Sequence, residues 1–341
     1  MDWTPKKIQQ LFHLSSFITK DPKSFSLKGH ILVEAFFEPS TRTALSFEAA
    51  MKRLGGEVVH FHPQVSSLKK GETVLDTMKT LSNYGDAIVL RHGDETVYDE
   101  VVKQVSSLPV INAGNGIGGH PTQALLDLYT MYKKFGMDFR FKSVLIVGDI
   151  KHSRTVHSLV QMMNLYPFMS VHMYPYEGCE PSDSYVSQVA QAHSQDEDEI
   201  VIPRNCLYYG DYDVIYITRN QVERHEEVQS SEYVFTTQDV ETLKSDAIIL
   251  HPFPRNHEIS EEVDVYPQAY YFQQMKYGVE LRMGLLFMLL HKDLSIMKKH
   301  YAKRVFENTD NHDKVLILLL FCCMIKVLWL SITAIRPGFA E

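Results

Sequence analysis

The chain has 341 residues, 45% hydrophobic and 22% charged, a balance that excludes a disordered or fibrous protein and leaves room for two domains. Its formal net charge of −8 argues weakly against nucleic acid as the main partner, because phosphate backbones select basic surfaces. A small anionic ligand, which responds to local charge, stays open. Cys179, Cys206, Cys322 and Cys323 lack the paired spacing of a zinc site and read as ordinary cysteines of a reduced compartment. Met1-Asp2-Trp3 opens the chain without an apolar run, so no signal peptide is expected and the expected location is cytoplasmic.

Short, near-continuous apolar runs read as strands covered on both faces, as in parallel sheets. The first, at 31–37, leads into Ser40-Thr41-Arg42-Thr43. A helix follows, with Ala44, Phe47, Met51 and Leu54 as its apolar stripe and Gly55-Gly56 as its stop. The run at 87–90 is followed by Arg91-His92, and the run at 110–112 by Gly114-Asn115-Gly116 and His120. A second helix is predicted over 121–134, with Pro121 first, Lys133-Lys134 in its last turn, and Leu125, Leu128, Tyr129 and Tyr132 on one side. Phe135-Gly136-Met137-Asp138 then divides two halves. In the second half, runs at 143–147, 214–218 and 247–250 lead into residues 151–155, Arg219-Asn220-Gln221 and His251-Pro252-Phe253-Pro254-Arg255. Residues 182–199, rich in Ser, Gln and Asp, read as a solvated face or loop, and no internal repeat is visible.

This alternation predicts an α/β fold of two domains, each a parallel sheet flanked by helices, with the active site between them. In open parallel sheets, ligands bind outside the carboxyl ends of the strands. Six such junctions rich in Arg, His and hydroxyls describe a polar site for an anionic ligand.

The first junction is the most specific. Ser40 or Thr41 can cap the helix that follows, whose first turn offers unpaired N–H groups. Acidic residues suit such a turn, and Arg42 breaks that rule. A bound anion would resolve the conflict by accepting from the N–H groups, the hydroxyls and the guanidinium together. The alternative is an arginine paired with Glu38 or Glu48 for structural support. Ser66-Ser67-Leu68-Lys69-Lys70-Gly71-Glu72-Thr73 reads, taken alone, as a solvated turn. Gly114, Gly116, Gly118 and Gly119 match a dinucleotide fingerprint only weakly, since the run leads into His120-Pro121, and no GK[ST] loop occurs. His60 and His62 share a strand face but have no evident third ligand, so no metal is expected.

The stretch 315–335 is almost wholly apolar, interrupted by Lys326, Ser331 and Thr333, and follows Lys298, Lys299, Lys303 and Arg304. Its length and its basic flank suit a membrane span. Lys326 near its middle weighs against one, at a cost of about 2.5–3.5 kcal/mol on insertion scales. A helix in an oligomer contact and a tail from an alternative transcript or gene model are the other readings.

Together, Ser40-Thr41-Arg42-Thr43, His120-Pro121-Thr122-Gln123 and His251-Pro252-Phe253-Pro254-Arg255, in this order and spacing, resemble the aspartate carbamoyltransferases. Lys69-Lys70-Gly71-Glu72-Thr73, Val147-Gly148-Asp149, Ser153-Arg154-Thr155-Val156-His157, Tyr270-Tyr271-Phe272-Gln273-Gln274 and Arg282-Met283 agree, so the resemblance covers about 27–290. Ornithine carbamoyltransferases share the first two motifs but carry a cysteine-containing HCLP segment in place of His251-Pro252-Phe253-Pro254, and lack the Lys-Lys-Gly-Glu loop. An Arg-rich second half also suits aspartate's two carboxylates better than ornithine's cation.

The resemblance implies transfer of a carbamoyl group from carbamoyl phosphate to L-aspartate, in pyrimidine biosynthesis, without a cofactor. It implies that Ser40, Thr41, Arg42 and Thr43 hold the phosphate with Gln123, and that Thr43, Arg91 and His120 face the carbamoyl oxygen. Arg154, with Thr155 beside it, Arg219 and Gln221 would take the aspartate carboxylates, and Phe253 and Pro254 would offer backbone contacts. Ser66 and Lys70 would reach into a neighbour's site in a homotrimer with shared active sites. No direct role falls to Arg282. The domains implied are 1–134 for carbamoyl phosphate, 135–282 for aspartate, a return helix at 283–300 packing on the first domain, and an atypical tail at 301–341.

The sequence departs from the family pattern at Asn115 (usually Asp), Ser153 (usually Gly), Val222 (often Lys) and Phe253 (usually Leu or Met). A piece of a larger pyrimidine-synthesis polypeptide, and a non-catalytic or membrane-tethered homologue, are alternative contexts. The intact set Arg42, Lys70, Arg91, His120, Arg154 and Arg219 favours the active transferase, since a scaffold has no use for so many buried cations.

Overall fold

A computed structural model describes residues 3–116, 118–203, 206–221 and 233–291. Two four-stranded parallel sheets organise them. The first contains β1 (Ile31–Phe36), β2 (Glu57–Phe61), β3 (Ala87–His92) and β4 (Val110–Asn115), in the order β2-β1-β3-β4. The second contains β5 (Ser143–Gly148), β6 (Ser170–Pro175), β7 (Val214–Ile217) and β8 (Ile248–Leu250), in the order β6-β5-β7-β8. The helices of the first half are α1 (Pro5–Lys20), α2 (Thr41–Arg53), α3 (Val74–Leu81), α4 (Glu95–Gln104) and α5 (Pro121–Phe135). Those of the second are α6 (Arg154–Met163), α7 (Asp183–His193), α8 (Glu197–Ile200), α9 (Thr237–Glu241) and α10 (Tyr271–Leu290).

The apolar runs form the strands because burial on both faces favours them. Leu32 and Val33 of β1 pair in register with Ala87 and Ile88 of β3, and all four side chains are buried. Val33, Ala35, Ile88 and Leu90 pack on Met78 and Leu81 of α3 and Val101 of α4. In the second sheet Leu145, Val147, Ile215, Ile217 and Ile249 form the corresponding core with Phe235 and Tyr271. Burying a side chain of this size stabilises by about 1.5–3 kcal/mol.

Two strands, β2 and β6, were not among those expected from continuous apolarity. Both lie at a sheet edge. In β6, buried and half-buried residues alternate, and β2 is largely exposed. An edge strand with one covered face alternates and so escapes a search for unbroken apolar runs.

The last helix also differs from the sequence reading. Instead of starting near 283, α10 begins at Tyr271, after the long connection that follows β8, and packs against α1, α2 and α5. Residues 292–300, the tail at 301–341 with its apolar stretch, and Val222 lie outside the described residues. Among the described residues, no helix is long and apolar enough to cross a membrane.

Candidate active site

The carboxyl ends of β1, β3, β4, β5, β7 and β8 open on one cleft of about 770 Å³. Ser40, Thr41, Arg42, Thr43, Arg91, His120, Gln123, Arg154, Thr155, Arg219, Gln221, Phe253 and Pro254 all line it. Five arginines face one carboxylate there, Glu38, although the whole chain is acidic. Such a pocket concentrates anions by local field rather than by net charge.

At the start of α2, Ser40 is the N-cap in an extended conformation, but its side chain makes no capping bond. Its Oγ instead accepts from Arg91 Nη1 at 3.4 Å. The helix opens without an acidic residue in its first turn, leaving its N–H groups suited to an external acceptor. Arg42 has no ion-pair partner among the described residues, and its guanidinium lies 5.6 Å from the Phe253 ring centroid. The structural alternative of a partner in Glu38 or Glu48 is not realised. Glu48 pairs with Lys52, and Glu38 pairs with Arg91 and Arg154.

Arg154 Nη1 donates to the Gly116 carbonyl at 2.8 Å. Gly116 has φ +55°, and a Cβ there would lie 2.2 Å from the Gly93 carbonyl oxygen, so only glycine lets this loop settle against the neighbouring strand end. His120 lies between the two halves. Its Nε2 is 3.4 Å from Thr43 Oγ1, its Nδ1 3.4 Å from Thr122 Oγ1, and its N–H donates to Ser158 Oγ at 2.8 Å. Burial, then Arg91, Arg154 and Arg282, hold its pKa well below the usual histidine value. The neutral ring donates through one of these nitrogens and accepts through the other.

The second sheet contributes the other wall. Arg219 Nη1 donates to the Asn220 carbonyl at 2.9 Å, and its Nη2 to Gln221 Oε1 at 3.4 Å. The Gln221 N–H donates to Asp149 Oδ2 at 3.0 Å, which fixes the turn. Ser153 is buried, with Oγ 2.9 Å from Thr155 Oγ1 and 3.2 Å from Thr218 Oγ1. The hydroxyl that distinguishes it from the usual glycine therefore ties three polar side chains at this wall.

Phe253 has φ 54°, unusual for a bulky residue. Its N–H donates to His251 Nδ1 at 2.8 Å. Nδ1 is thus the acceptor, so the proton sits on Nε2, which lies 2.6 Å from Glu258 Oε1. This buried His251–Glu258 pair sets the backbone of the Phe253-Pro254 segment.

The cleft also contains a residue to which the sequence reading gave no role. Arg282 of α10 is 3% exposed, and its guanidinium lies 4.9 Å from the Phe47 ring centroid. Burial lowers its pKa to about 10, against the opposing pull of Asp127 and Glu34. Its Nε has no partner among the described residues. The available signal was a cation, Arg282, immediately before the apolar run at 283–290. Behind the cleft, Asp127 Oδ1 accepts from Gln123 at 2.9 Å and from Gln274 at 2.6 Å, and Oδ2 from Tyr216 at 3.2 Å. Burial pushes Asp127 up to about 7.

Ser66 and Lys70 do not line this cleft. Ser66 caps the short 3-10 helix Ser67–Lys70, and Lys70 is exposed. Arg255 points elsewhere too, its Nη2 3.0 Å from Asp264 Oδ2. Of the histidine pair, only His60 lies on β2, and its Nδ1 is 3.3 Å from the buried Glu34.

Two family models match the chain. Aspartate/ornithine carbamoyltransferase, carbamoyl-P binding domain, matches residues 1–133, and Aspartate/ornithine carbamoyltransferase, Asp/Orn binding domain, matches 141–289. The multifunctional protein pyr-3 of Neurospora crassa is 46% identical over 275 residues, which are 77% of this chain but only 14% of that protein. The aspartate carbamoyltransferase catalytic subunit of Pyrobaculum islandicum is 38% identical over 304 residues, covering 85% of this chain and 96% of the subunit. Aspartate transcarbamoylase from Trypanosoma cruzi, solved in complex with carbamoyl phosphate and aspartate, superposes with a TM-score of 0.76 at 33% identity, over 84% of this chain and 94% of that one. On this evidence of fold, site and sequence, the chain belongs to the aspartate carbamoyltransferase family.

Proposed function

We propose that this chain transfers the carbamoyl group of carbamoyl phosphate to the amine of L-aspartate, giving N-carbamoyl-L-aspartate and phosphate, a step of de novo pyrimidine synthesis. The observation that carries this reading is the convergence of Arg42, Arg91, Arg154, Arg219 and His120 on one cleft beside the uncapped start of α2. That electrostatic shape fits a phosphate and a dicarboxylate bound side by side. The Trypanosoma cruzi relative, solved with carbamoyl phosphate and aspartate, supports it.

In this reading Ser40, Thr41, Arg42 and Thr43 hold the phosphate, with Gln123 behind them. Thr43, Arg91 and His120 donate to the carbonyl oxygen as the amine attacks and negative charge builds there. Donors fixed in advance stabilise that charge more than the ground state. The phosphate leaves with the bonding electron pair and accepts the amine proton, so no separate base is required. Arg154, Arg219 and Gln221 hold the carboxylates, and holding both substrates together supplies further rate. Residues 1–134 serve carbamoyl phosphate and 135–282 serve aspartate.

Ser66 and Lys70, outside the cleft of their own chain, fit the role of residues lent to a neighbour in a homotrimer. The cytoplasm is the proposed location. An assay with purified protein, carbamoyl phosphate and either aspartate or ornithine tests the reading. Carbamoyl aspartate is the expected product; turnover with neither amine would leave a non-catalytic homologue.

A further inference from the structure

Behind the Arg219–Gln221 turn lies a second cluster of donor side chains. Asp149 follows β5, His152 lies in the same loop, and Cys179 lies in the loop after β6. One donor atom from each falls within 4.8 Å of the others, and His152 Nδ1 is 3.0 Å from Asp149 Oδ1. Asp149 and Cys179 are fully buried, whereas the His152 side chain is 23% exposed, which opens the cluster to solvent on one side.

The backbone sets these positions. The Lys151 N–H donates to the Cys179 carbonyl at 3.0 Å, joining the two loops. The His152 N–H donates to Asp149 Oδ1 at 3.0 Å, and Gln221 occupies the other carboxylate oxygen. Glu180 and Lys151, of opposite charge, are the nearest further ionic influences on the thiol.

We propose that Asp149, His152 and Cys179 bind one Zn²⁺-class cation through a carboxylate oxygen, an imidazole nitrogen and a thiolate, with the fourth position open towards solvent beside His152. Sulfur with nitrogen selects a borderline-soft ion over Mg²⁺ or Ca²⁺, which prefer all-oxygen cages. Tetrahedral zinc at its usual bond lengths separates such donors by roughly 3.3–3.6 Å. The observed spacing therefore requires side-chain shifts of about 1 Å. Binding releases the Cys179 proton to solvent, so a thiolate and a carboxylate balance the doubly charged ion and no uncompensated charge is buried. In the absence of an ion, burial and Asp149 push the Cys179 thiol up to about 12, so the ion must displace that proton. None of its three ligands lines the substrate cleft, although Asp149 Oδ2 adjoins that cleft's wall through the Gln221 N–H.

The test uses the full chain, stripped with a chelator and titrated with Co²⁺. One equivalent per chain should bind, with tetrahedral absorption and a thiolate-to-cobalt charge-transfer band that Zn²⁺ removes. Cys179→Ser should lose that band, and His152→Ala should bind at least about tenfold more weakly. A variant with Cys206, Cys322 and Cys323 all changed to serine should retain it. Absence of the band in the unmodified protein, its survival in Cys179→Ser, or its loss in the triple variant would overturn the proposal. Should Cys179→Ser fail to fold, unchanged affinity in His152→Ala, a partly exposed position, overturns it equally.

Discussion

Glu38 and Arg154 face each other across the cleft, with Oε2 3.5 Å from Nη1, although one follows the first strand of the first sheet and the other opens α6 behind the second. The same carboxylate oxygen accepts from Arg91 Nε at 3.2 Å. One anion thus orients two of the guanidiniums proposed to meet substrate. Hydrogen bonds to charged groups contribute roughly 1.5–3 kcal/mol. Glu38→Gln keeps the shape and removes the charge, so kcat/KM for aspartate should fall about tenfold or more. Unaltered steady-state kinetics in that variant would remove Glu38 from the positioning machinery.

Arg42 stands where an acidic residue would normally suit the helix, without an ionic partner among the described residues. Arg42→Ala should leave the fold intact, as read by circular dichroism, because it breaks no ion pair among them. Turnover should drop at least about a hundredfold, the scale for losing a preorganised donor to developing charge. Near-normal activity would reject the phosphate role.

Lys70 is exposed and away from its own cleft. If a neighbour's site receives it, Lys70→Ala and Arg42→Ala chains, each inactive alone, should complement after mixing and reassembly. A randomly mixed ring restores about a quarter of the sites. Activity that stays at the level of the separate variants rules out sharing.

His120 is held neutral by burial and by three arginines. Its folded pKa lies below its unfolded one, so the unfolded chain binds the proton first. Its contribution to stability is therefore lost as pH falls below about 6.5. In an NMR titration, the His120 ring, assigned by its absence from His120→Asn, should stay neutral between about pH 8 and 6. A midpoint inside that window would contradict its role as a neutral donor.

Glu34, buried in β1, is pushed up to about 8 by burial and then by Glu48. Here the folded pKa exceeds the unfolded one, and the associated stability is present in acid and lost as pH rises towards about 8. Glu34→Gln has no such dependence. Its unfolding free energy should exceed that of the parent by an amount that grows from about pH 4.5, levels off above about pH 8, and reaches on the order of 5 kcal/mol. A gain that is flat with pH would show that Glu34 is ionised throughout.

Much of the fold and the cleft was legible without coordinates. Strands buried on both faces announce themselves as apolar runs, and β1, β3, β4, β5, β7 and β8 were recognised on that ground. The polar residues after each run had to share one edge, because parallel strands place all their carboxyl ends on the same side. Thirteen of the predicted site residues accordingly line the cleft, while Ser66 and Lys70 do not.

Tertiary structure decided the rest. The alternating edge strand β6 and the exposed edge strand β2 carried no unbroken run to recognise. Arg282 entered the cleft only because α10 packs across α2 and α5, and Arg255 left it for Asp264. Glu38 found Arg154, and Cys179 found His152, through loops far apart in the chain. Local sequence reports burial and periodicity, which are properties of one segment. Which charged atoms meet depends on how separate segments cross, and that is fixed only when strands, helices and loops pack together.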